Sequence, residues 1–204
     1  MLRTARPGRP AQAGWPPAGA CRRRCRVVLR DALALIVVML PLAGCGGPPV
    51  NAPSQENAAP LTVSSPDLPG GTFPREFTCD GANRSPRLQW STPPPGTQEL
   101  AIELLDPDAP GGTFTHWLVY RLPPSITSLA AVPAGAAEGV NDFGRRGYGG
   151  PCPPRGPAHH YHFLVLALDT RLGLPAGAAR PDLESRVSGH VLAKGELVAT
   201  YQRA

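Results

Sequence analysis

Apolar residues in this chain recur mostly at every second position, the pattern of strands that bury one face. The clearest case is HHYHFLVLALD (159–169), which sets His159, Tyr161, Phe163, Val165 and Ala167 on one face and His160 and His162 on the other. Ahead of it, GYGGPCPP (147–154) has the glycine and proline content of a shaped loop. A rigid loop delivering polar groups to the mouth of an apolar strand is a common way to build a small-ligand pocket. Upstream, short runs predict strands at 61–65, 88–90, 99–105 and 115–122, with 99–105 apolar enough to be well buried. Phe73 to Phe77 reads as extended, and 125–146 mostly as connector. One helix is predicted over 181–193. Pro181 opens it, Asp182 and Glu184 fill its first turn, and Leu183, Val187, His190 and Val191 recur at helical spacing. A short strand at 196–201 ends the chain. Many short strands, long loops and one late helix imply a mainly β fold, a β-sandwich with helical decoration.

The N-terminal segment departs from this pattern. Arg22, Arg23, Arg24, Arg26 and Arg30 precede an apolar run over 32–42, followed by Ala43-Gly44-Cys45. A basic region, a short apolar stretch and small residues read as an export signal. The run is too short to span a bilayer comfortably. Leu42-Ala43-Gly44-Cys45 also looks like the lipobox of bacterial lipoproteins, in which the cysteine is acylated and becomes the new N-terminus; a short anchor helix with an incidental cysteine is the alternative. The expected organisation is a signal peptide over 1–44, lipidation at Cys45, a flexible tether over 45–60 and one folded domain over 61–204. That places the protein in the bacterial cell envelope, attached to a membrane through lipid.

Composition and charge refine the picture. The 27 prolines and 23 glycines form no repeat, and much of the proline sits in the first fifty residues, the tether and two loops, as in a tail joined to a loop-rich globule. The formal charge of +5 belongs to the N-terminus, where eight of the 20 basic residues precede residue 45. From residue 45 onward, 12 basic against 14 acidic side chains leave −2. Nucleic-acid binding by the folded part is therefore not expected.

Several polar residues stand where chemistry could occur. Asp106 ends an apolar strand before a proline, as a turn-former or as a site residue. His116 opens a strand, in a structural or a functional role. His160 and His162, two apart, could hold a metal, but no cysteine or glutamate accompanies them on that strand, and no metal or cofactor is expected. The sequence has no G-x-S-x-G elbow, H-E-x-x-H or P-loop, and a hydrolase is the least favoured reading. Cys152 could be imagined as a nucleophile. An exported protein, however, occupies an oxidising compartment. Once Cys21 and Cys25 are removed and Cys45 is acylated, Cys79 and Cys152 remain, and they are expected to pair.

Five segments together resemble the phosphatidylethanolamine-binding protein family, in particular its bacterial Raf-kinase-inhibitor-like branch. They are FTCDGANRSPRLQW (77–90), DPDAP (106–110), HWLVY (116–120), GVNDFGRRGYGGPCPP (139–154) and HHYHFLVLALD (159–169), in the family's order across roughly 61–203. The resemblance implies a Greek-key β-sandwich with a small anion pocket at one end. It places the pocket on Asp106, His116, His159 and Tyr161, with the loop from Gly150 to Pro154, including Pro151 and Pro153, beside them. Asp108 would brace the loop. Where the family usually carries arginine between the last histidine and tyrosine, this chain has His160, a positive charge that depends on pH. The implied function is non-enzymatic binding of a phosphate-containing small molecule or phospholipid head group. The implied alternative is a protein-interaction module acting on a kinase or protease.

Overall fold

The computed structural model describes residues 58–203, so the expected signal peptide, Cys45 and most of the tether lie outside the described residues. Eight strands and one helix follow in order: β1 (Ala59–Ser64), β2 (Leu88–Trp90), β3 (Glu99–Asp106), β4 (Phe114–Leu122), β5 (Ser128–Leu129), β6 (Ala137–Glu138), β7 (His159–Leu168), α1 (Arg180–Val187) and β8 (Val191–Tyr201). The hydrogen-bonded order is β5-β2-β1-β8-β7-β3-β4-β6. β1 joins two leaves. Its first half pairs parallel with β8, and Val63 and Ser64 turn to pair antiparallel with β2.

The principal core fills the space between the leaves. Leu61, Val63, Leu88, Trp90 and Leu129 of the small leaf meet Leu100, Ile102, Leu104, Trp117, Val119, Phe163 and Val165 of the large one. The alternation along β7 has the predicted sense, with Tyr161, Phe163, Val165 and Ala167 in this core. A second cluster lies on the other face of the large leaf, where Leu183 and Val187 of α1 cover Ala101, Leu118, Leu166 and Leu168. Covered on both faces, β3 is buried along its whole length. A strand with apolar neighbours on both sides needs no strict alternation, which explains its continuous run.

Three local expectations are corrected. The helix ends at Val187 rather than Ala193, because Gly189 takes φ +80° and turns the chain into β8. Val191 and Ala193 are buried as strand residues and do not continue the helical face. Within Phe73 to Phe77, residues Arg75–Phe77 form a 3-10 turn. The connector at 125–146 contributes β5 and β6, two-residue strands whose pairing with β2 and β4 is set by partners far away in sequence.

Candidate functional site

β3, β4 and β7 are neighbours in the large leaf, so Asp106 at the end of β3, His116 near the start of β4 and His159 at the start of β7 meet at one rim. All three are buried. They line a cavity of about 170 Å³ with Ala109, Pro110, Phe114, Phe143 and the 152–154 segment. Apart from the carboxylate and two imidazoles, the named side chains on its wall are mostly aromatic, proline or aliphatic.

Asp106 has two roles at once. Its Oδ1 accepts the backbone N–H of Asp108 at 2.9 Å, the Asx-turn of a turn-former. Its Oδ2 accepts Nδ1–H of His159 at 2.8 Å and lies 4.0 Å from Nε2 of His116. His116 donates Nδ1–H to the carbonyl of Gly149 at 2.7 Å, which leaves its Nε2 as an acceptor when the ring is neutral. The cavity therefore presents two acceptors side by side, Oδ2 and Nε2. They are too far apart to bond each other and close enough for one ligand N–H or O–H group to reach either.

Burial lowers the His116 pKa, outweighing the Gly149 carbonyl and the Asp106 charge. The neutral ring is thus the native form at pH 7. A group with a depressed native pKa contributes its stability in full above the unfolded value, about 6.5 for histidine, and loses it as pH falls through the native value. We expect the His116 ring resonances to titrate below about 6.5, with unfolding free energy declining in the same interval. A midpoint above that value would contradict the assignment.

Tyr161 does not line the cavity. Its ring meets His116 edge-on at 5.2 Å and lies roughly parallel to His159 at 6.4 Å, so it spaces the two imidazoles from behind. Its buried hydroxyl makes no close hydrogen bond, although the Asp106 carboxylate is near enough to act on it. Burial, then the Asp106 charge, raises its pKa well above the ordinary phenol value, so the hydroxyl keeps its proton.

The loop from Gly149 to Pro154 offers few free N–H groups to the cavity. Gly149 N–H donates to His116 O, and Gly150 N–H donates to Asn83 Oδ1 at 2.7 Å. Pro151, Pro153 and Pro154 have no N–H to give. Only Cys152 N–H in 150–154 is without a protein acceptor among the described residues. Pro153 lines the cavity, whereas Gly150 and Pro151 form its outer brace, with the Pro151 carbonyl accepting Cys79 N–H at 3.1 Å. Cys79 and Cys152 are disulfide-bonded, with their Cα atoms 5.4 Å apart.

Gly150 is required by space. A Cβ there would stand 2.3 Å from the Phe77 carbonyl oxygen and 2.7 Å from Asn83 Oδ1. Gly150→Ala should therefore cost about 2–3 kcal/mol of stability through overpacking and loss of the Asn83 bond. Thermal unfolding checks this, and an unchanged midpoint would show that the loop yields without cost.

Sequence reasoning passed over several residues that shape the rim. Phe114 and Phe143 pack at 4.8 Å, and both approach His116. Asp142 Oδ2 accepts Thr115 N–H at 2.6 Å, and buried Asn141 donates to the Gly147 carbonyl, so the 141–147 turn holds Phe143 over the histidine. The Asn141-Asp142-Phe143-Gly144 cluster was the available signal, but only as a turn. On the outward face of β7, His160 donates its backbone N–H and ring Nδ1–H to Asp108 Oδ2, and His162 pairs with Glu196 of β8. These two histidines are thus held by separate carboxylates. Among the described residues, no three His, Cys, Asp or Glu side chains gather as metal ligands.

Comparison with known proteins bears on the fold and the family. Residues 63–202 match the family model described as phosphatidylethanolamine-binding protein. A UPF0098 protein of Aquifex aeolicus is 46% identical over 142 residues, 66% of this chain and 83% of that protein. A Mycobacterium tuberculosis protein named "Putative lipoprotein LppC" is 38% identical over 191 residues, covering 84% of this chain and 94% of its own length. The crystal structure of Escherichia coli YbcL, titled a new member of the mammalian PEBP family, superposes with a TM-score of 0.66 at 33% identity, over 71% of this chain and 99% of that one. With the ordered motifs, the curled sheet and the matched span in agreement, this chain belongs to the phosphatidylethanolamine-binding protein family.

Proposed function

We propose that the protein is a non-enzymatic binding protein, anchored to the cell envelope through lipid on Cys45, whose cavity takes the polar end of a phosphate-bearing ligand. The observation that carries this reading is the pair of acceptors, Asp106 Oδ2 and His116 Nε2, 4.0 Å apart on the wall of a largely apolar cavity. Two acceptors call for a donor. An ammonium or a P–OH supplies it, whereas a fully ionised oxyanion would meet the Asp106 charge. Phosphate oxygens would lie toward Cys152 N–H and toward His159 Nε2, a donor whenever that ring carries both protons. The volume is below the roughly 300 Å³ at which sites for drug-sized ligands begin, so it suits a head group and leaves the rest of a larger molecule outside.

Calorimetry with O-phosphoethanolamine, ethanolamine, inorganic phosphate and sulfate tests this at pH 7. Phosphoethanolamine should bind most tightly and sulfate least. Sulfate binding as tight as phosphate would remove the reading, because sulfate brings no proton for Asp106.

A phosphorylated side chain of a protein partner, such as a kinase or protease, is the second reading. It is favoured by Phe143, which is 42% exposed at the rim and carries the Arg145 guanidinium 5.4 Å from its ring centre. Exposed aromatic and arginine side chains are frequent anchors at protein interfaces. For the anchor, the similarity to a relative named as a lipoprotein supports acylation at Cys45. Each buried CH₂ of the acyl chains adds about 0.8 kcal/mol of membrane affinity. A Cys45→Ser protein should leave the membrane fraction for the soluble one; complete retention would refute the lipid anchor.

A further inference from the structure

The large leaf carries a second cavity, of about 360 Å³, beside α1. Glu103 and Asp106 are three residues apart on β3 and so point to opposite faces. The second cavity therefore belongs to the face away from the Asp106 site and shares none of that site's lining residues. Its walls are aliphatic: Leu105, Leu164, Leu166, Val187 and Val191.

Two polar groups in this cavity are out of keeping with those walls. Glu103 is only 5% exposed, in the middle of a strand, and no described residue bonds or ion-pairs with its carboxylate. Desolvation raises its pKa, the charges of Arg180 and Lys194 only partly opposing it. Across the cavity, Arg180 binds Glu184 through one terminal nitrogen at 2.7 Å, while its Nε is buried and has no acceptor. Buried polar groups of both signs are ordinarily paired. Here Glu103 lines the cavity without a partner among the described residues, whereas Arg180 Nε has no accessible surface, so the guanidinium meets the cavity through its other nitrogens. Lys194 stands exposed at the edge and makes no ion pair among the described residues.

We propose that this cavity is a binding site for a small zwitterion with an aliphatic body, of the chemical class of the aliphatic α-amino acids. The ammonium would donate to Glu103, the carboxylate would pair with Lys194 and the guanidinium end of Arg180, and the side chain would lie on the leucine and valine walls. The ammonium and the carboxylate thus meet Glu103 and Lys194, which are unpaired among the described residues, and the aliphatic body displaces water from apolar surface. An amine alone leaves Lys194 without a partner and places its charge near Arg180 and Lys194 with nothing to offset them. A carboxylate alone leaves Glu103 without a donor and adds a second negative charge near it. Glu184 does not compete for the ammonium to the same degree, since its charge is already offset by Arg180.

The test is a titration of the full chain, followed by backbone amide NMR shifts, with L-leucine, 3-methylbutylamine and 4-methylpentanoate as separate ligands. Leucine should bind saturably, with a Kd on the order of millimolar for so small a ligand, at least about tenfold tighter than either half-ligand. The shifts should centre on Glu103, Leu164 and Arg180. Glu103→Gln should weaken leucine at least about tenfold while the folded spectrum persists, because the charge-assisted bond is lost and the side-chain shape is kept. Absence of saturable leucine binding to the wild-type chain overturns the proposal. So does equal affinity for leucine and a half-ligand, and so does a Glu103→Gln protein that binds leucine as the wild type does. Because two of these outcomes are read on the unaltered chain, a variant that fails to fold does not shield the idea.

Discussion

Loss of the Cys79–Cys152 cross-link should lower the unfolding free energy by about 4 kcal/mol. The bond closes a loop of 73 residues, and the chain-entropy relation gives roughly that value for a loop of this length. The constrained stretch contains β2 to β6, including both strands that carry Asp106 and His116. An unfolded chain free of this constraint gains entropy, while the native chain keeps most of its contacts. Locally, Gly150 N–H to Asn83, Cys79 N–H to Pro151 and the Tyr148 hydroxyl to the Phe77 carbonyl still hold the loop to the 77–83 turn. A Cys79→Ser/Cys152→Ser protein should therefore remain folded, with a lower denaturant midpoint and a loosened wall at residues 152–154. A loss of less than about 1 kcal/mol would place the compensation in a compact reduced denatured state.

Asp106→Ala should reduce phosphoethanolamine affinity by at least about 100-fold, or some 2.7 kcal/mol. It should also destabilise the fold, because His159 Nδ1–H and Asp108 N–H both lose their acceptor in a buried setting, at about 1–3 kcal/mol each. These effects are separable. Asp106→Asn keeps an oxygen for the Asp108 turn, but removes the charge and puts an NH₂ donor where Oδ2 accepts His159 Nδ1–H, so it should be more stable than the alanine variant by the one bond it retains. It should still bind the ammonium-bearing ligand poorly. Its affinity for sulfate should rise relative to phosphate, since the charge that repels a fully ionised oxyanion is gone. Calorimetry on the two variants with the same ligands reads both effects. If sulfate affinity does not rise in Asp106→Asn, Asp106 discriminates by shape and the electrostatic account fails.

Much of the sheet could be read from residue order because its strongest signals are local. The period of two along β7 assigns Tyr161, Phe163 and Val165 to the core without knowledge of any partner, and the structure has them there. The helix boundary was misplaced because Leu183, Val187 and Val191 share a helical spacing although they are buried by different elements. Gly189 separates them, and a single glycine is ambiguous until its φ is known. β5 and β6 were unreadable for a further reason. Strands of two residues have no period, and they exist only because β2 and β4 offer them an edge.

The stretch from Gly147 to Asp169 was legible as a loop entering a strand, and motif order brought Asp106 and His116 to it. What those residues do to each other depended on long-range placement. Whether Asp106 makes an Asx-turn or receives a histidine is a question about two different oxygens, and both bonds are present. Likewise residue type does not show which N–H groups of the loop are free, since Asn83 and the His116 carbonyl take two of them. Periodicity, residue type and cysteine count determined the fold class and the disulfide partners, since these follow from which residues can be buried and which thiols remain, whereas the rim residues were singled out by the family resemblance. Only the tertiary structure decided which atoms of the rim are left free to bind. A hydrogen bond between residues some fifty positions apart is a property of their geometry in space, and no local pattern in the chain encodes it.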